Sequence, residues 1–168
     1  MKPLTLLISI LLLTNMTYGQ DLETNQANKK EVSKLAFLVG DWKGNGWMMG
    51  QDGQRHLFSQ TENVSFKLDS TAIVIEGLGM DNGKVVHNAL AIIIYNKTDN
   101  NYSFISYLAN GMDGKFKAEL LDGKLNWYLM GNMRYIISIN EKGQWYEKGE
   151  MKKDDQWFQI FEMTLDKQ

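Results

Sequence analysis

The chain has no cysteine, and its single proline is Pro3. Without cysteine there is no disulfide and no thiolate metal site, so the core alone must hold the fold. With proline confined to the start, nothing downstream interrupts the hydrogen-bond ladder of a β-sheet. Histidine is scarce, at His56 and His87, and so is arginine, at Arg55 and Arg134. Two histidines without cysteine argue against a structural zinc site, and the reading is no metal. The formal net charge is −2, with no basic stripe, which argues against a nucleic-acid partner. No nucleophile elbow, phosphate loop or dinucleotide fingerprint is present, so no residue cluster specifies a reaction.

A hydrophobic run long enough to cross a bilayer as a helix is also missing. Leu4 to Leu13 is almost unbroken, follows Lys2, and precedes the small residues Thr17 and Gly19. That pattern predicts a secretory signal peptide over residues 1–19, cut near Gly19–Gln20, because the run is too short to span a bilayer. The expected location is secreted or periplasmic, in a bacterium, with no membrane span in the mature chain. Residues 20–30 are polar and aperiodic, which predicts a disordered leader. Residues 31–168 form the remaining domain.

What is abundant is aromatic and methionine content. Five Trp, seven Tyr and seven Phe suffice for a core without disulfides. Val32, Leu35, Ala36 and Phe37 suit a short helix over about 31–37. From there the apolar period becomes two and stays so. Ten strands follow, separated by turns such as Asp81-Asn82-Gly83, Asp122-Gly123 and Lys153-Asp154-Asp155, which tolerate positive φ. Many strands joined by short turns predict an all-β, closed up-and-down antiparallel barrel, with a β-sandwich as the rival.

Two stretches of the chain resemble a known family. Phe37-Leu38-Val39-Gly40-Asp41-Trp42 is similar to the opening of lipocalin-like (calycin) barrels. Gly143 to Glu150, with Trp157 to Leu165, resembles a bacterial family of small, often secreted, lipocalin-like proteins without established activity. The resemblance spans about residues 35–166 and implies a closed barrel of about ten strands. The related nitrobindins hold haem through a histidine in the last strand. Residues 156–168 contain none, so the expectation is no haem and no cofactor. Lipocalins often lay an arginine of the last strand over the plugging tryptophan. Only Lys152, Lys153 and Lys167 lie near that end here, which leaves the contact open.

Alternation assigns candidate ligand-binding residues. Trp42 shares a face with Gly44, Gly46 and Met48. His56 and Glu62 share the more apolar face of the next strand with Phe58, Gln60 and Val64, either as polar anchors for a guest or, for His56, where the strand leaves the core. Glu76 interrupts an apolar strand. Arg134 with Glu150 or Glu162 either forms an internal pair that orients a ligand or decorates the solvated face. The methionines either line a permissive pocket or fill the core. The function expected is interior binding of a small apolar or amphipathic molecule. The alternatives are a hydrolase or isomerase using Glu76, Glu150 or Glu162, and a filled barrel serving as a structural or interaction module. Catalytic residues are not assigned.

Overall fold

The computed structural model describes residues 25–168, so the expected signal peptide lies outside the described residues. The strands are β1 (Gly40–Met49), β2 (Arg55–Lys67), β3 (Ala72–Asp81), β4 (Lys84–Asn96), β5 (Asn101–Leu108), β6 (Asp113–Leu121), β7 (Lys124–Leu129), β8 (Met133–Ile139), β9 (Trp145–Lys153) and β10 (Gln156–Lys167). Each pairs antiparallel with its sequence neighbours, and β1 also pairs with β10, which closes the barrel and leaves no free edge. The sandwich is thereby excluded.

The hairpin turns follow the sequence signals. Asn82 and Gly83 take φ of 47° and 77°, and Asp122 and Gly123 take 50° and 73°. Such paired positive φ values match the twist of the flanking strands.

The helix differs from expectation. Helix α1 spans Gln26–Ser33, followed by a 3₁₀ turn at Ala36–Leu38, so residues read as a disordered leader are helical from Gln26 onward. The cause is tertiary and local together. Asn25 caps the first turn through its side chain, Tyr102 donates a hydrogen bond to the Glu31 carbonyl, and Lys29 pairs with Asp69. Val32 and Leu35 are fully buried, which anchors a helix too polar to form by propensity alone.

This segment closes one end of the barrel. Trp42 is buried beneath it and donates its indole N–H to the Leu38 carbonyl at 2.8 Å. Trp145 meets Trp42 edge-on, with centroids 5.9 Å apart. The cation left open by the sequence is Lys167, whose ammonium lies 5.3 Å from the Trp42 ring centre. Gly40, at φ of 140°, leaves the room: a Cβ there would sit 2.7 Å from Cε of Lys167.

Candidate functional site

The other end of the barrel is open. A cavity of about 210 Å³ runs inward from it. Its walls are unequal. One side is an aromatic belt drawn from five strands, backed by Phe116 from a sixth. Phe104 stacks on Trp127 at 4.6 Å and 2° between planes, and Trp127 stacks on Tyr135 at 4.4 Å and 10°. Phe116 leans on Trp127 as well. Tyr135 meets Phe161 edge-on, and Phe161 stacks on Phe58. The facing side carries Gly77, Ala89, Ala91 and Ser106, which leave the space vacant.

Two glycines let the belt continue across β1 and β9. A Cβ at Gly149 would lie 2.7 Å from the Tyr135 ring and 2.9 Å from Cβ of Phe161. One at Gly46 would lie 2.6 Å from the Phe58 ring and 2.8 Å from Cβ of Met163. The glycine alternation at the start of β1 therefore permits aromatic stacking over it, in addition to any freedom of bending.

Set into this apolar space are Gln60, Glu62 and Glu147, all more than nine-tenths buried. Glu62 accepts a hydrogen bond from Nε2 of Gln60 at 2.7 Å. Its carboxylate lies over Gly77, where a Cβ would come within 2.7 Å of it. Burial pushes the Glu62 pKa up to about 7, against the opposing hydrogen bond from Gln60. Burial, and then the charge of Glu62, push Glu147 up to about 8. Glu147 accepts one long hydrogen bond, from the Trp145 indole at 3.3 Å. The Trp127 indole N–H lies near enough to lower the Glu147 pKa, but it makes no well-formed hydrogen bond and is buried without a partner. Tyr135 is pushed up to about 12 by burial. His87 lines the mouth, accessible to solvent yet crowded enough that burial lowers its pKa.

The rim is apolar. Met48, Met49, Val85, Val86, Met112 and Met130 are exposed beside the turns at this end. Met48 and Met163 also line the cavity, so the methionines serve both lining and rim.

The residues singled out by alternation separate into different places. Glu62 reaches the cavity. Trp42 points inward but belongs to the closed end. His56 is in solvent, paired with Asp52, because β2 emerges from the core at its start. Glu76 is exposed on the outer wall. Arg134 and Glu150 do pair, at 2.7 Å, but outside the barrel, where Arg134 also stacks over Trp157 and Lys148 shares the carboxylate. Burial works to raise the Glu150 pKa, but Lys148 and Arg134 together hold it low. Glu162 is also on the outer side, accepting hydrogen bonds from Gln159 and Tyr146, which lower its pKa. Phe158 and Glu162, four residues apart, take opposite faces because a bulge between Gln159 and Phe161 reverses the alternation. An enzyme built on Glu76, Glu150 or Glu162 is thus left without an interior carboxylate.

Alternation from Trp145 would have found Glu147, two residues on along β9. Trp127 and Tyr135 carried no signal beyond their aromatic character.

No protein-family model matches the sequence, and no curated protein matches it. Among solved structures, the chain is similar to an S-type phycobiliprotein lyase from Guillardia theta, with a TM-score of 0.55 and 9% identity over 87% of this chain and 98% of that one. At that identity the likeness speaks for the fold alone. Together with the closed ten-strand ladder, it gives this chain a lipocalin-like, calycin-type fold.

Proposed function

We propose that this protein binds a small apolar or amphipathic molecule non-covalently inside the barrel. The observation that carries the reading is the cavity, aromatic on one side and lined by glycine and alanine on the other. Buried area supplies the affinity, at about 25 cal/mol per Å². The few interior polar groups orient the guest. A lyase neighbour of the same fold is compatible with a small-molecule site. A filled barrel acting only as a module does not fit a cavity of this size.

The test is a fluorescence titration with 9-anthracenemethanol, a neutral three-ring probe. Saturable binding is expected, weakened at least about tenfold by Ala91→Phe, which fills the vacant side. Binding that does not saturate, or that ignores Ala91→Phe, overturns the reading. Native mass spectrometry of protein purified from its own host would identify the natural guest.

Secretion or periplasmic residence belongs to the same proposal, supported by the Leu4–Leu13 run. Sequencing the N-terminus of the exported protein tests it, with a start near Gln20 expected.

A further inference from the structure

We propose that the guest is a planar aromatic cation, a fused-ring amine or amidine whose nitrogen lies at Glu62 and Glu147 while its ring lies against the Trp127–Tyr135 stack. The assignment rests on the container reading above and narrows it.

Charge is the first argument. Among the described residues, two carboxyl groups enter the cavity and no lysine or arginine lines it. Both are more than nine-tenths buried and only sparsely hydrogen-bonded, Glu62 by Gln60 and Glu147 by the long contact from Trp145. Buried carboxyls without counter-charge are costly when ionised. A cationic guest supplies the missing charge and N–H donors together. An anionic guest adds a third negative group to the same space. A metal ion is poorly served, since among the described residues no three metal-ligating side chains cluster.

Shape is the second argument, independent of the first. Phe104, Trp127 and Tyr135 stack nearly parallel and form a rigid wall. Opposite it, Gly77, Ala89 and Ala91 open the space into a slot. A flat ring system fits a slot, its face meeting the edges of the stacked rings.

The experiment compares three probes of one shape on the full chain: 9-aminoacridine, 9-anthracenemethanol and 9-anthracenecarboxylate. Affinities are measured at about pH 6 and about pH 9, a range that brackets the titration of both carboxyls. The titratable groups facing the guest are Glu62 on β2, His87 on β4, Tyr135 on β8 and Glu147 on β9. The cation should tighten by at least about tenfold toward high pH as the carboxyls ionise, and the anion should weaken. The neutral probe should change little. In the double variant Glu62→Gln, Glu147→Gln, the cation should lose both its pH dependence and its advantage over the neutral probe.

If the neutral probe binds but the cation shows no advantage at high pH, or keeps it in the double variant, the assignment is wrong and the container reading stands. If no probe binds, both fall. Should the double variant fail to fold, the pH profiles of the unaltered protein decide alone.

Discussion

Glu62 on β2 and Glu147 on β9 are both buried in one cavity, and the charge of the first raises the pKa of the second. Strands distant in sequence carry them, and only barrel closure brings them to a common interior. The pair gives the protein a pH response that a solvated pair of carboxylates would lack.

Stability should therefore fall as pH rises. Both folded-state pKa values lie above the ordinary carboxyl value, at about 7 and about 8. Between the ordinary value and these, the folded chain holds protons that the unfolded chain has released. The stabilisation is full below about pH 4.5 and is lost as pH climbs through the folded values. The loss is on the order of 3 kcal/mol for Glu62 alone. His87 acts in the opposite direction in acid, because its lowered pKa costs stability as it is forced to protonate. Urea denaturation at several pH values measures the slope. Glu147→Gln should flatten it and stabilise the protein at high pH.

Gly149→Ala should disturb the aromatic belt. Its Cβ would press on the Tyr135 ring and on Phe161, neither of which is a loose side-chain end. A loss of about 1–3 kcal/mol is expected, the range for overpacking. Urea denaturation reads the energy, and near-UV circular dichroism reads the lost stacking.

Trp42→Phe should loosen the closed end. The ring is largely retained, but the hydrogen bond to the Leu38 carbonyl goes and leaves that oxygen without its donor. The expected cost is about 1–3 kcal/mol. Hydrogen exchange should show faster opening in the 26–38 segment than in the barrel strands.

Arg134→Ala should leave interior binding intact. Arg134 and Glu150 pair on the outer wall, with the Arg134 side chain 30% exposed. The affinity for 9-anthracenemethanol should change by less than about twofold. A larger change would place this pair in communication with the cavity.

The fold was legible because period-two alternation and paired turn residues are local signals. Asn82-Gly83 and Asp122-Gly123 announce hairpins whatever lies beyond them. The candidate site was only partly legible. Glu62 sits mid-strand among apolar neighbours, and its parity places it correctly. Parity left open which wall Arg134, Glu150 and Glu162 face, and a bulge reverses the alternation just before Glu162. The helix was set too late because the hydrogen bond from Tyr102 depends on a strand far away in sequence, although the Asn25 cap is a local signal.

By itself, then, the chain's composition and rhythm determined an antiparallel all-β ladder with short turns, since these depend on each residue's own backbone preference and on its immediate neighbours. Tertiary structure decided that the side chains leave a cavity in the interior, that two carboxyls meet there, and that glycines on β1 and β9 let rings touch across them. Those properties depend on distances across the closed barrel, and local sequence pattern carries no distance between strands that are not neighbours in the chain.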